Sequence, residues 1–178
     1  MVEHRLVIDP GHGGRSAGVV YGDVVEKDAA LEMALTLKHV LVHELEFPFD
    51  IHMTRTGDRD VRWSERLVPA TLSVAVHFDI PHGGMPIYYQ QGRCESYFIA
   101  EYLRLFTNKR NPVWSTREAV HTGRKLYIDD ARHPFVLWEA DTIDHVKLGE
   151  DGREYRLALA RPMAQAIVNA FYMLMHGL

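Results

Sequence analysis

Residues 6–14 read LVIDPGHGG, an apolar run that passes directly into a glycine-rich turn. The run is closed by Asp9-Pro10-Gly11, and such a boundary predicts a buried strand that ends at the turn. His12 follows the carboxyl end of this strand, which is where ligands gather in parallel α/β sheets. The stretch therefore predicts an α/β fold with a candidate site residue beside its first strand.

Similar apolar runs and helical patterns alternate along the rest of the chain. The clearest helical stripe runs from Ala160 to Met175, where apolar residues recur at helical spacing. We expect one α/β domain over residues 1–178, with a mostly parallel twisted sheet of about six strands and helices on both faces. The predicted strands are 6–8, 49–54, 72–78, 85–89 and 135–138, and the predicted helices are 28–45, 63–70, 95–106 and the C-terminal segment.

The composition of the 178 residues limits the classes of protein to which the chain can belong. A net charge of −4 argues against a nucleic-acid binder, because such proteins need a basic surface. A single cysteine, Cys94, excludes an internal disulfide and a cysteine-based zinc site. The absence of a run of ~18 apolar residues predicts no integral membrane segment. With no signal peptide evident, we expect cytosolic synthesis of a single domain without a separate binding module.

Four polar residues are predicted at strand ends or at a helix start, along one rim of the sheet. They are His12, Glu26, His77 and Glu139. Hydrolytic zinc sites take three protein ligands from histidine and carboxylate side chains and keep a fourth position for water, so two histidines and one carboxylate suffice. A zinc ion in such a site activates water and polarises a carbonyl group. The rim is therefore a candidate metal site.

Other residues near these positions allow two interpretations each. Asp9 could orient a metal-bound histidine, or it could satisfy the backbone of the Pro10-Gly11 turn. His82 could border the site as a substrate contact, or it could be a plain loop histidine. His39 and His43 stand four residues apart on a predicted helix, but they fall away from its apolar stripe, so we expect both to be exposed.

Five motifs follow one another along the chain: VIDPGHGG at 7–14, EKD at 26–28, TRTGD at 54–58, Arg66, and VHF at 76–78. In this order they resemble one known family, the zinc-dependent N-acetylmuramoyl-L-alanine amidases of the amidase-3 type.

The resemblance implies that His12, Glu26 and His77 bind one Zn²⁺ ion. It also implies that Glu139, in the segment VLWE, is the catalytic glutamate. The implied substrate is peptidoglycan, cut at the amide between the lactyl group of N-acetylmuramic acid and L-alanine. Amide hydrolysis also needs a proton for the departing amine, and a glutamate can carry that proton.

The chain departs from the family pattern at three places. Asp79 stands where an asparagine is usual, and its carboxylate adds negative charge near the metal. Thr71 replaces another asparagine, although Arg66 matches the arginine of the family's helix. Residues 140–145, ADTIDH, replace the usual Gly-Phe and Asn, so we expect a different substrate-facing loop. Asp9, Asp79, His82 and Arg66 are thus candidates for contacts around the metal or with the substrate.

Three functions fit these residues. We expect a monomeric peptidoglycan amidase, without a cell-wall-binding domain, that resembles a phage endolysin stored in the host cytoplasm until it reaches the wall. A peptidoglycan-binding module that no longer cuts is the second function, and Glu139 argues against it because recognition needs no proton carrier. The third is a zinc peptidase that cuts a different amide, which zinc chemistry alone does not exclude.

Overall fold

The computed structural model describes residues 4–107, 111–119 and 126–177. Its described strands are β1 (Arg5–Pro10), β2 (Val20–Tyr21), β3 (Val24–Val25), β4 (Asp50–Met53), β5 (Leu72–Asp79), β6 (Ile87–Tyr89), β7 (Val113–Ser115) and β8 (Phe135–Thr142). Six of them form one sheet in the order β4-β1-β5-β8-β6-β7, and β2 pairs with β3 in a small hairpin.

Helices of very different lengths connect these strands. None of the helices in the described ranges is both long and apolar enough to cross a membrane. The α-helices are α1 (Glu26–His39), α2 (Trp63–Arg66), α3 (Cys94–Phe106), α4 (Thr116–Ala119) and α5 (Arg153–His176), and a π-helical turn (Val40–Glu44) extends α1.

The sheet is parallel through its centre and mixed at one edge. Strands β4, β1, β5 and β8 run parallel to one another. Strand β6 runs antiparallel to β8, and β7 runs parallel to β6. The central strands are apolar throughout because both of their faces are covered, and residues 6–8 are fully buried. The predicted α/β class, with one mostly parallel sheet of six strands, is confirmed.

The two faces of the sheet are covered unequally. Helices α1, α3 and α5 share one large core with side chains such as Ile8, Val74 and Trp138, which point to the same face. The other face carries a smaller cluster that includes Leu137 and the 3₁₀ turn Tyr127–Asp130. This thinner cover leaves room for an open cavity at the carboxyl ends of the strands.

Several predicted boundaries are wrong by a few residues. The helix predicted at 28–45 begins at Glu26 and becomes π-helical after His39, where Leu45 N–H donates to the Val40 carbonyl. The helix predicted at 63–70 ends at Arg66, short of Pro69, because the residue before a proline is disfavoured in a helix.

The strand predicted to close at Glu139 continues to Thr142. Ala140 and Thr142 are buried while Glu139 and Asp141 are partly exposed, so strand alternation persists beyond the apolar run. A bulge shifts the register so that Asp79 pairs with Thr142. The first half of the expected substrate-facing loop, residues 140–142, is therefore strand. Its second half, residues 143–145, is a 3₁₀ turn.

A buried ion pair ties β1 to α2 beneath the thinner face. Asp9 is fully buried and its Oδ1 accepts a hydrogen bond of 2.6 Å from Arg66 Nη1. The hydroxyls of Thr54 and Tyr127 also donate to this carboxylate. Its two oxygens are thus satisfied by three separate segments of the chain.

We expect Asp9→Asn to lower the free energy of unfolding by about 3 kcal/mol, because Arg66 would remain buried without its counter-charge. Chemical denaturation of the two proteins measures the change. Arg161→Ala is the control: it removes an ion pair with Glu44 in which the arginine side chain is 53% exposed, so the loss should be much smaller. Equal losses in the two variants would contradict a structural role for the buried pair.

Candidate metal centre

Three side chains from separate elements meet at the carboxyl ends of β1 and β5. His12 lies two residues after β1, Glu26 is the first residue of α1, and His77 lies within β5. His12 Nε2 is 3.0 Å from Glu26 Oε2, and His77 Nδ1 is 2.9 Å from Glu26 Oε1. One nitrogen or oxygen from each residue lies within 4.8 Å of the others, and the described part of the chain has no other such group of three.

Glu26 is buried, yet its surroundings favour the carboxylate. Burial by itself would raise its pKa, but hydrogen bonds from His12 and His77 and the charge of both rings hold the pKa well below its ordinary value. The backbone N–H groups of Val19 and Phe78 also donate to its oxygens, at 2.8 and 3.3 Å. The start of a helix adds a positive dipole end. Glu26 therefore offers an ionised carboxylate that lies between two imidazoles.

The donor set of two imidazoles and one carboxylate suits a zinc ion. Tetrahedral zinc with bonds of 2.0–2.2 Å separates its ligand atoms by roughly 3.3–3.6 Å, and the nitrogen–oxygen distances of 3.0 and 2.9 Å between the histidines and Glu26 are slightly shorter. His12 Nδ1 is 3.0 Å from Ser16 Oγ, which fixes the ring while Nε2 faces Glu26. In His77 the nitrogen that faces Glu26 is Nδ1. His77 Nε2 is buried without a hydrogen-bond partner in the described ranges, and because it lies on the other side of the ring it is left for a different partner, such as water.

Two glycines make room for the three side chains. A Cβ atom on Gly11 would lie 2.5 Å from His77 Cε1, so any larger residue there displaces the ring. A Cβ atom on Gly18 would lie 2.4 Å from Glu26 Oε2, and Gly18 also has a φ of +73°. Gly11 belongs to the glycine-rich turn at 11–14, whereas nothing in the sequence pointed to Gly18.

Arg55 joins the two segments that carry His12 and Glu26. Its guanidinium is buried and donates to the carbonyl oxygens of Gly11 at 2.7 Å and Lys27 at 2.6 Å. A third hydrogen bond reaches the carbonyl of Pro10. The sequence placed Arg55 in the TRTGD motif without giving it a role, because the partners are backbone atoms that no sequence pattern names.

Arg66 supports the same turn from the other side. It donates to the carbonyl oxygens of Pro10 at 3.0 Å and His12 at 2.6 Å. His12 has a φ of +58°, a left-handed conformation that costs a non-glycine residue roughly 1–3 kcal/mol. The hydrogen bond to its carbonyl, together with those that Arg55 makes to the turn, offsets this strain.

The carboxylate of Asp9 contacts Thr54, Tyr127 and Arg66. Arg66 in turn donates to the carbonyl oxygens of Pro10 and His12. Asp9 is thus linked through Arg66 to the turn that carries His12, and its role in orienting the histidine stays a prediction.

Glu139 stands beside His77 on the neighbouring strand. The two residues are paired in register between β5 and β8, so their side chains leave the same face of the sheet. Glu139 lines a cavity of about 460 Å³ together with His12, Glu26 and His77. Burial raises the pKa of Glu139 well above its ordinary value, and the charges of Glu26 and Asp79 raise it further. Its Oε2 atom is buried without a hydrogen-bond partner in the described ranges.

The remaining predicted residues lie farther out. Asp79 lines the cavity, but its carboxylate accepts hydrogen bonds from the backbone N–H groups of Ile80 and Met85, which shapes the loop after β5. The side chain of His82 is 91% exposed and lies 3.8 Å from Asp144. A role for His82 in binding substrate stays a prediction. The other two histidines considered, His39 and His43, are exposed as expected.

Comparison with known proteins gives a consistent result. The sequence profile of the family described as N-acetylmuramoyl-L-alanine amidase, Amidase_3, matches residues 6–170. The amidase CwlM of Bacillus licheniformis is 34% identical over 62 residues, which are 35% of this chain and only 24% of that protein. The chain thus matches about a quarter of the length of this relative.

Solved structures share the fold over nearly the whole chain. The amidase AmiC2 of Nostoc punctiforme superposes with a TM-score of 0.74 at 25% identity, covering 94% of this chain and 96% of that one. An N-acetylmuramoyl-L-alanine amidase of Clostridium difficile 630 gives a TM-score of 0.73 at 20% identity, covering 93% and 95%. The family match spans most of the sequence and confirms the resemblance found in its motifs. The chain belongs to the N-acetylmuramoyl-L-alanine amidase family Amidase_3.

Proposed function

We propose that the protein is a zinc-dependent hydrolase that cuts the amide between N-acetylmuramic acid and L-alanine in peptidoglycan. The observation that carries this proposal is the position of Glu139. It lies in the same open cavity as His12, Glu26 and His77 and is paired with His77 in the sheet. The metal donors and the carboxyl group together can supply what hydrolysis of an amide needs, an activated water molecule and a group that carries a proton.

The chain's own residues would divide the work as follows. His12, Glu26 and His77 would hold one zinc ion, which supplies activation of water and polarisation of the scissile carbonyl. Glu139 would accept a proton from the attacking water while the water oxygen forms a bond to the carbonyl carbon. The same carboxyl would then deliver that proton to the nitrogen as the carbon–nitrogen bond breaks. Burial raises the pKa of Glu139, which makes its carboxylate a stronger proton acceptor.

The two other functions predict different behaviour. A wall-binding module without activity would have no use for a buried carboxyl group beside the metal donors, because burying a carboxyl without partners costs stability. A peptidase for another amide would share all of the zinc chemistry. The family match, rather than the chemistry, favours the muramoyl-alanine bond over other amides.

Digestion of purified peptidoglycan tests the proposed bond. We expect new L-alanine amino termini, identified by mass spectrometry, that disappear when a chelator removes the metal and return when zinc is added. Wall material already stripped of its stem peptides is the control and should yield no product. New ends at any other amide would contradict the proposed substrate.

Variants of Glu139 and His77 separate proton transfer from metal binding. We expect Glu139→Gln to keep one zinc per protein yet lose hydrolysis by about 10²-fold or more, because the amide cannot carry the proton. We expect His77→Ala to lose the metal as well. Metal content by elemental analysis and turnover on peptidoglycan measure the two effects. Full activity of the Glu139→Gln protein would refute the proton-carrying role.

Gly11→Ala tests whether the close approach of His77 matters for the metal. The added methyl group would displace the ring, so we expect zinc affinity to fall by about 10- to 100-fold, as for other changes that disturb ligand orientation. Gly57→Ala is the matched control, because a Cβ atom there meets nothing within 4 Å. Competition with a chromogenic chelator measures both affinities. Equal affinities in the two variants would contradict the steric argument.

A further inference from the structure

The cavity at the metal group is one half of a longer groove. Here we call it the Glu139 arm, with a volume of about 460 Å³. A second cavity of about 340 Å³, the Trp63 arm, lies next to it. Both are lined by His12 and His77, so the two arms meet at the candidate metal ligands. Leu126 and Leu137 also line both arms.

The two arms differ in chemistry. The Glu139 arm carries the carboxyl groups of Glu139 and Asp79 together with Tyr88. The Trp63 arm carries the exposed Trp63 side chain with Ser16, Asp60 and Arg66 as polar groups. Because a substrate that spans the metal must place one part in each arm, this difference can fix its direction.

Glu139 sets that direction if the proposed function holds. The proton it delivers goes to the nitrogen of the scissile amide, so that nitrogen must lie within hydrogen-bond reach of Glu139. The nitrogen belongs to L-alanine, and the stem peptide therefore extends into the Glu139 arm. The acyl side, which consists of the lactyl group and the sugar ring that carries it, must then extend into the Trp63 arm. In the intact substrate the lactyl carboxyl is part of the amide and carries no charge.

Trp63 has the properties of a platform for a sugar ring. It is the first residue of α2 and is 54% exposed, although a tryptophan is mostly apolar. Its ring centroid lies 6.3 Å from that of Tyr127, with the planes inclined at 37°. Tyr127 is itself fixed, because its hydroxyl donates to buried Asp9 and the Arg66 guanidinium lies 5.7 Å from its ring centroid. An aromatic ring with rigid backing offers a large contact area at little entropic cost.

We propose that the Trp63 arm binds the N-acetylmuramoyl sugar, with the C–H face of the pyranose ring against the Trp63 indole. Trp63 is then a residue that selects substrates carrying the glycan, and the stem peptide occupies the Glu139 arm. Burial of the apolar sugar face against the indole supplies the binding free energy. The proposal rests on the proposed amidase function for its direction.

Two soluble substrates with the same scissile amide test the proposal. One is N-acetylmuramoyl-L-alanyl-D-isoglutamine, and the other is lactoyl-L-alanyl-D-isoglutamine, which lacks the sugar. We expect Trp63→Ala to lower kcat/KM for the first roughly tenfold, mainly through KM, and to change the second by less than about twofold. Trp63→Phe should restore most of the loss, because it keeps an aromatic face.

The second substrate is an internal reference, because a loss at a sugar site changes the ratio of the two activities and a general loss of activity does not. Trp114→Ala is the matched aromatic control: Trp114 is 37% exposed and packs against Tyr88, which lines the Glu139 arm. It should cause no loss specific to the sugar. Equal losses on the two substrates in Trp63→Ala, or no loss on either, would overturn the proposal.

A binding experiment separates this proposal from the proposed function. If the unaltered protein cuts neither substrate, the amidase function fails. Binding of the disaccharide N-acetylglucosaminyl-N-acetylmuramic acid, followed by saturation-transfer NMR, then tests the Trp63 arm alone. Loss of the signal in Trp63→Ala would support the sugar site, whereas an unchanged signal would contradict it.

Discussion

The buried carboxylate of Glu26 is the group around which the site is arranged. A buried charge is unfavourable unless it is paired, and this one is paired with imidazoles from two different segments. Its other contacts come from the backbone N–H groups of Val19 and Phe78. The first turn of α1, the turn after β1 and the end of β5 must therefore meet at one point. A zinc ion would complete the same pairing with a positive charge.

The fold meets this requirement in part by supporting the backbone of the turn that carries His12. Arg55 and Arg66 donate mainly to carbonyl oxygens of the turn after β1. Asp9 neutralises Arg66, and the thin cover on this face leaves the cavity open. The large core on the other face, formed with α1, α3 and α5, supplies most of the buried apolar surface. The larger apolar core and the open cavity thus lie on opposite faces of the sheet.

The sequence predicted the positions that have a local signature and missed those that depend on distant partners. Residues 6–8 predicted a buried strand because a short apolar run closed by turn residues has few other interpretations. His12, Glu26 and His77 were named together because their order along the chain matched a family. The continuation of β8 beyond Glu139 was missed, because the polar residues Glu139 and Asp141 interrupt the continuous apolar run. The contacts of Arg55 and Gly18 were missed because their partners are backbone atoms and a side chain far away in sequence.

We propose that His12, Glu26 and His77 together hold one zinc ion. Anomalous diffraction from crystals of the zinc-loaded protein, recorded on both sides of the zinc absorption edge, tests this binding. We expect a single strong peak with ligand distances of about 2.0–2.2 Å to two imidazole nitrogens and one carboxylate oxygen. A peak bound elsewhere, or no peak between these three side chains at saturating zinc, would contradict it.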